Sequence, residues 1–372
     1  MIAPEERLLV FPAGMSRSLA FRRNCESRGI RTVGASSLGH DPSRIHYADW
    51  VQLPFVAEPA FAPALVQAIH SKGISGVFTP NQVVWDQLQR LLPSLAPQVR
   101  LVNSSPVAVE EAPYLELIQR TRDSAADALP LAASGTPRPR LEPLALAAIL
   151  RMVDQVPGMC DDDKAAALCE VARWTPAGDI VEIGSWWGKS AMLLGLLARH
   201  QRLGAVLCVD PWSDEHLRQP DATLVDASSS QISAERAFEI FKINLLPIAD
   251  GGLNYLRKTS VQAAARYRAD PVVEQPGFGR TRFAGRIALL HIDGNHDRAA
   301  VQADIDAWGD FVCSDGGWVV FDDYLWPYGD GPRLVADAFC GQHQNRIACA
   351  FVSGGALFVQ LAAAQSPASQ TR

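Results

Sequence analysis

Three carboxylates and one histidine stand where they could do chemistry together. The apolar run 287–292 leads into Asp293-Gly-Asn-His296, and a second run, 317–321, ends in Asp322-Asp323. Each has the length and composition of a buried strand. Side by side and parallel, the two strands would bring Asp293, Asp322 and Asp323 around one point beyond the carboxyl edge of a sheet, where open α/β sheets bind ligands. Carboxylates that close repel and raise one another's pKa values. A divalent cation relieves the conflict, and all-oxygen ligation suits Mg²⁺ with positions left over for a substrate. Taken singly, Asp293 could cap the following helix, and Asp322 or Asp323 could be a solvated turn residue. His296, three residues past Asp293, can reach the rim of such a site as a ligand, a general base or a plain surface imidazole. The base role is the one expected, because imidazole titrates near neutrality and the cation already has carboxylates.

A second stretch must hold whatever reacts there. Residues 179–191, Asp-Ile-Val-Glu-Ile-Gly-Ser-Trp-Trp-Gly-Lys-Ser-Ala, read as a buried strand, a glycine turn and a helix start. Gly188-Lys-Ser190 resembles the end of a phosphate-cradling loop, but only Ser185, Trp186 and Trp187 separate its two glycines, where that cradle needs four residues. What remains is an acidic residue, Glu182, followed by Gly184 and Gly188, a turn that lets a ligand approach the backbone and offers it a carboxylate. An ordinary strand-to-helix turn has the same pattern. The next strand, 205–209, closes on Asp210, where a doubly wound nucleotide-binding fold places the carboxylate that accepts both ribose hydroxyls. A weak third strand, 253–258, ends at Thr259 and Ser260. Ser260 could face a cofactor there or cap the helix that follows.

Composition bounds the rest. The chain has 372 residues, which predicts two domains, and 48% hydrophobic with 20% charged residues is ordinary for a globular protein with sizeable cores. A net charge of −6, with scattered basic residues, speaks against nucleic acid or a membrane surface as partner. Seven cysteines at irregular spacings contain no Cys-x-x-Cys pair and suit reduced core residues. No apolar run is long enough to span a bilayer and the N-terminus has no signal-peptide pattern, so the cytoplasm is the expected compartment.

Along the chain, strands at 8–11, 31–34 and 76–78 alternate with helical spacing at 16–27, 63–70 and 83–92, which predicts a small α/β domain over residues 1–115. The Ala-, Pro-, Arg- and Ser-rich stretch 116–144 reads as a linker. Helices at 144–156 and 163–174 then lead into the glycine-turn strand. Asp161, Asp162 and Asp163 suit a helix start better than a metal site. Residues 213–254 read as an insertion ending in a helix, 234–245, positioned to act as a lid or a substrate-recognition segment. Two strands joined through Ser353-Gly-Gly355 predict an antiparallel hairpin closing an otherwise parallel sheet. The polar tail 364–372 is expected to be disordered.

Two resemblances follow. Leu-Val-Phe-Pro-Ala-Gly-Met at 9–15, Val-Gly-Ala-Ser-Ser-Leu at 33–38 and Phe-Thr-Pro-Asn-Gln-Val-Val-Trp at 78–85 resemble the pre-ATP-grasp domain, with scaffolding, substrate capture or homo-oligomerisation as its expected role. Gly14, Ser36 and Ser37 are candidate ligand contacts there. Val-Glu-Ile-Gly-Ser-Trp-Trp-Gly-Lys-Ser, Val-Asp-Pro-Trp, Ile-Asp-Gly-Asn-His-Asp and Phe-Asp-Asp-Tyr, in that order, make residues 145–363 resemble the metal-dependent O-methyltransferases of antibiotic-sugar tailoring, of the macrocin, mycinamicin and cephalosporin-pathway type. That resemblance implies a Rossmann-like α/β sheet and S-adenosylmethionine bound along Glu182, Gly184, Ser185, Gly188, Ser190, Asp210 and Ser260. It also implies Mg²⁺ on Asp293, Asp322 and Asp323, His296 as general base, and a small-molecule hydroxyl as acceptor. Some relatives have glutamate where Asp322 stands. A non-catalytic binding or assembly protein on the same fold, and an ATP-dependent ligase component, are the competing functions.

Overall fold

The computed structural model describes residues 6–126, 129–219, 223–229 and 231–363, so the expected disordered tail lies outside the described residues. The chain divides into two compact units, Met1–Glu116 and Leu117–Arg372. In the first unit, β1 (Arg7–Val10), α1 (Ser16–Ser27), β2 (Arg31–Ser36), β3 (Asp49–Gln52), α2 (Phe61–Lys72), β4 (Gly76–Phe78), α3 (Gln82–Leu95) and β5 (Arg100–Leu101) build a five-stranded parallel sheet in the order β3-β2-β1-β4-β5. Strand β3, Asp-Trp-Val-Gln, escapes sequence reading because polar residues bound its short apolar centre, and β5 because it has only two residues.

Helix α4 (Pro106–Ala126) carries the boundary between the units, so the first part of the expected linker is helical. Beyond it the proline-rich stretch is strapped to the second unit. The Gln360 side chain both accepts from the Ser134 amide, at 2.6 Å, and donates to its carbonyl, at 3.0 Å. The Arg138 amide donates to the Arg173 carbonyl at 2.9 Å, and Leu129 and Leu131 pack on the core. Proline bars this segment from helix or central strand, and side-chain pairing satisfies its backbone instead.

The second unit continues with α5 (Pro143–Asp154), α6 (Asp162–Trp174), β6 (Asp179–Ile183), α7 (Lys189–Gln201), β7 (Val206–Asp210), α8 (Thr223–Ser229), α9 (Ala234–Leu245), β8 (Leu253–Arg257) and α10 (Ser260–Ala269). There follow β9 (Val272–Gln275), β10 (Gly279–Arg282), β11 (Ile287–Ile292), α11 (Arg298–Trp308), β12 (Trp318–Phe321), α12 (Gly331–His343), β13 (Ile347–Ser353) and β14 (Ala356–Leu361). Seven strands run in the order β13-β14-β12-β11-β6-β7-β8, all neighbours parallel except β14, which is antiparallel to β12 and β13. This is a Rossmann-like doubly wound sheet closed by the expected hairpin. Strands β6, β7, β11 and β12 are buried throughout, because helices cover both faces. The β9–β10 hairpin, missed in the sequence, is a two-stranded appendage outside the main sheet. The strand order reverses between β6 and β11, and that reversal opens the crevice in which such folds bind ligands.

Candidate active site

Backbone bonds across the strand ends align the site. The Gly184 amide donates to Val209 O at 2.8 Å, the Asp293 amide to Ile183 O at 2.8 Å and the Asp322 amide to Ile292 O at 2.9 Å, so four strands finish level. The chain can pass here only without a side chain at 184: φ is +84°, and a Cβ would lie 1.9 Å from the Asp293 carbonyl oxygen. Beyond these ends lies a cavity of about 1120 Å³. Gly184, Ser185, Gly188, Ser190, Asp210 and Ser260 all line it, as do Asp293, His296, Asp322 and Asp323. Its size exceeds what one drug-sized ligand needs, roughly 300–1,000 Å³, and leaves room for two molecules side by side.

On the glycine-turn side, Asp210 is 8% exposed and accepts from the Trp186 amide at 3.0 Å and the Trp212 amide at 2.7 Å, one on each oxygen. Each oxygen keeps a second lone pair for a ligand hydroxyl. Burial pushes the Asp210 carboxyl up to about 6, against the pull of the two amides. Ser185 Oγ is buried and meets only the Cys208 thiol, a weak partner, so its hydroxyl can still serve a ligand. Helix α7 begins at Gly188 without a side-chain cap, so its first N–H groups are open to an anion. Ser260 is not the cap of α10, whose N-cap is Thr259. Its Oγ accepts from Trp308 Nε1 at 3.0 Å.

Glu182 requires a correction. It is fully buried, absent from the cavity wall, and its Oε1 lies 3.2 Å from His291 Nδ1, to which it is paired by the register of β6 and β11. Its other oxygen has no hydrogen-bond partner among the described residues. The carboxylate read as reaching for the ligand instead holds a histidine beneath the floor. The signal was in the sequence: Glu182 and His291 each stand as the one ionisable residue in the last four positions of an apolar strand.

The three aspartates converge, but they do not form one set. Asp322 points inward, where it pairs with the Lys164 ammonium, while His291 Nε2 stands 3.4 Å from the same oxygen. Lys164 also lies 3.9 Å from Asp293 Oδ2. Asp323 follows with φ +51°, a left-handed conformation that aspartate tolerates better than most residues, and this turns its carboxylate the other way. There it meets His296 Nε2 at 2.8 Å. His291, Asp293 and Asp322 thus form an inner group and Asp293, His296 and Asp323 an outer one, sharing Asp293.

Opposite charges face each other in the inner group. Burial opposes ionisation of Asp322, but His291 and Lys164 overcome it and hold the carboxyl well below the ordinary range. Burial would lower His291, yet Asp322 and Glu182 push it up to about 10. Lys164, 4% exposed, is likewise raised despite its burial, by Asp293 and Asp322. Burial and the adjacent Asp322 push Asp293 upward. Lys164 comes from α6, 158 residues away from its partner, and no local spacing could have announced it. Its position is set by the N-cap Asp161, which accepts from the Lys164 amide at 2.7 Å.

The outer group is partly exposed, with Asp293 at 24% and Asp323 at 33%. The His296 ring is fixed at both nitrogens, since Nδ1 donates to Gln219 Oε1 at 2.8 Å while Nε2 faces Asp323. Gln219, Leu217 and Ile232 from the inserted segment join the wall, as do Trp326 and Tyr328, with Trp326 4.2 Å from His296 between ring centroids.

Residues 181–324 match the family described as "Methyltransferase domain". With the strand order and the glycine turn, that match decides the class. The second unit is a class I methyltransferase domain. Similar solved structures include the O-methyltransferase NovP (13% identity over 67% of this chain and 99% of that one, TM-score 0.38). Others are the calicheamicin methyltransferase CalS11 (17%, 70% and 94%, TM-score 0.35) and a putative O-methyltransferase from Klebsiella pneumoniae (12%, 76% and 99%, TM-score 0.31). These superpositions are loose, and the methyltransferase assignment rests on the matched family and on this chain's own topology. No described helix is long and apolar enough to cross a membrane.

Proposed function

We propose that this methyltransferase transfers the methyl group of S-adenosylmethionine to a hydroxyl of a small molecule such as a sugar or another natural product. The observation that carries the reading is that His296, held by Asp323, lines the same cavity as a glycine turn and Asp210. An oriented base and a nucleoside cradle open onto the same space.

The residues present fit both absent groups. The Ser185 hydroxyl on the cavity wall, the spare lone pairs of Asp210 and the uncapped start of α7 suit a ribose and an amino-acid carboxylate. A hard divalent cation such as Mg²⁺ fits the outer carboxylates, Asp293 and Asp323, while Asp322 is already committed to Lys164. Bound S-adenosylmethionine supplies an electrophilic sulfonium methyl, and a cation on Asp293 and Asp323 would lower the pKa of an acceptor hydroxyl. Asp323 accepts Nε2–H of His296, and a neutral ring in that tautomer has its lone pair on Nδ1 once Nδ1 no longer donates to Gln219 Oε1. The Gln219 carboxamide stands at Nδ1 where an acceptor hydroxyl would dock, so acceptor entry displaces Gln219. Freed of that contact, Nδ1 would take the proton of the acceptor hydroxyl, while bound S-adenosylmethionine would give up its sulfonium methyl to that oxygen and leave as S-adenosylhomocysteine. Trp326 and Tyr328 supply a flat wall for a ring-shaped acceptor.

Calorimetry with S-adenosylhomocysteine and with ATP, each with and without Mg²⁺, tests the assignment. Heat with the first and none with ATP is expected, and the reverse would favour a ligase component. Binding of both without methyl transfer to any of a panel of sugars and phenols would favour an assembly role.

The pKa of Asp210 makes cofactor affinity pH-dependent. A proton on that carboxyl competes with the ribose hydroxyls, so affinity for S-adenosylhomocysteine should be flat above pH 7. It should weaken as pH falls through about 6, by up to about tenfold per unit. Asp210→Asn should bind more weakly and lose the step. A titration flat from pH 5 to 8 in the wild type would refute the ribose contact.

A further inference from the structure

The first half of α4 stands in solvent on every side, with each residue from 107 to 116 exposed. Its start is tied to the first unit, where Gln82 Oε1 accepts from the Val107 amide at 3.0 Å and Glu110 pairs with Arg17 at 2.6 Å. Such a stretch is a poor helix by itself. Val107, Val109 and Tyr114 have low intrinsic preference for helix, and Pro113 inside it removes a backbone donor and crowds the preceding turn. Helices owe most of their stability to the packing of an apolar face, so this one calls for a partner.

The spacing shows which face would take it. Val107, Tyr114, Leu115 and Ile118 recur at i, i+7, i+8 and i+11, on one side of the helix. Val107 is 43% exposed, Tyr114 51% and Leu115 60%, while Ile118 is half-buried. Glu111 and Arg122 stand on the same side, at i+4 and i+15, and neither has an ion-pair partner among the described residues. Arg120, on another side, is held by Asp154 and Asp162.

The order of these residues along α4 is self-complementary. With two copies laid antiparallel about a two-fold axis between residues 116 and 117, Leu115 meets the partner's Ile118 and Glu111 meets the partner's Arg122, and the axis repeats each contact. A partner of one charge sign, or an anionic lipid surface, would set either Glu111 or Arg122 against its own sign. A second copy satisfies both. We propose that α4 is a dimerisation helix, pairing antiparallel with α4 of a second copy of this chain through its apolar stripe and set in register by Glu111 and Arg122.

Sedimentation velocity on the full chain tests this. The wild type should sediment as a dimer, and Leu115→Glu should weaken the dimer by about tenfold or more. Glu111→Arg and Arg122→Glu each set like charges face to face at two points and should weaken it by a similar factor. The double variant should dimerise again, and so should an equal mixture of the two single variants, because every reversed charge then meets an opposite one. A wild type that stays monomeric up to about 100 μM overturns the proposal. So does a dimer that Leu115→Glu leaves intact, or one that the single reversals weaken but neither the double variant nor the mixture restores. If Leu115→Glu does not fold, the charge reversals, both at exposed positions, decide alone.

Discussion

Replacing His296 with alanine is expected to slow methyl transfer by about 10²–10⁴-fold, the usual worth of a positioned general base, and to leave affinity for S-adenosylhomocysteine unchanged. The two effects separate because His296 stands on the acceptor side, held by Asp323 and Gln219. None of its contacts reaches Asp210, Ser185 or the start of α7. The rate is read as S-adenosylhomocysteine release, with an acceptor found from the sugar and phenol panel. A variant that keeps wild-type turnover removes the base role. One that loses cofactor binding as well shows that the ring supports the whole crevice.

Lys164→Met should be the most destabilising single change in the methyltransferase unit, at about 3–5 kcal/mol, the range for removing one member of a buried charged pair. The melting temperature would fall by about 10 °C. The methionine fills the volume, so the loss is electrostatic: Asp322 and Asp293 would face each other with only His291 between them. The pH dependence has a definite sign. Asp322 is held below its ordinary value of 3.8, so its pairing contributes fully above that pH and fades as pH falls below it. The gap between wild type and variant should therefore narrow in acid. Adding Asp322→Asn to Lys164→Met should recover much of the loss, since the second change removes the charge that the first left unpaired. A loss under about 1 kcal/mol at neutral pH would mean that water reaches the pair and screens it.

Sequence and structure agree where the signal is local. The glycine turn, the two acidic strand ends and the closing hairpin are each written within a dozen residues, and buried parallel strands have an apolar signature that survives without an alignment. What escaped depends on distance along the chain. Three carboxylates without a visible counter-charge implied a cation between them. Part of the counter-charge is carried by a lysine paired with Asp322, on a helix that precedes the sheet. Likewise two adjacent aspartates read as one pair of ligands, whereas the left-handed backbone at Asp323 sends the two side chains into different groups. Glu182 and His291 each stand alone among apolar strand residues, but which residue faces which is set by strand register.

The strap at 129–142 bears on where this catalytic unit can be cut from its chain. Gln360, which clasps Ser134, belongs to the strand that separates β12 from β13, so the strap closes the sheet at its antiparallel end. A fragment begun at residue 145 would keep every motif of the methyltransferase and still discard part of its wall. The transferable cassette starts earlier, at the helix that bridges the two units, and any fusion or domain exchange that respects the fold must carry that proline-rich stretch with it.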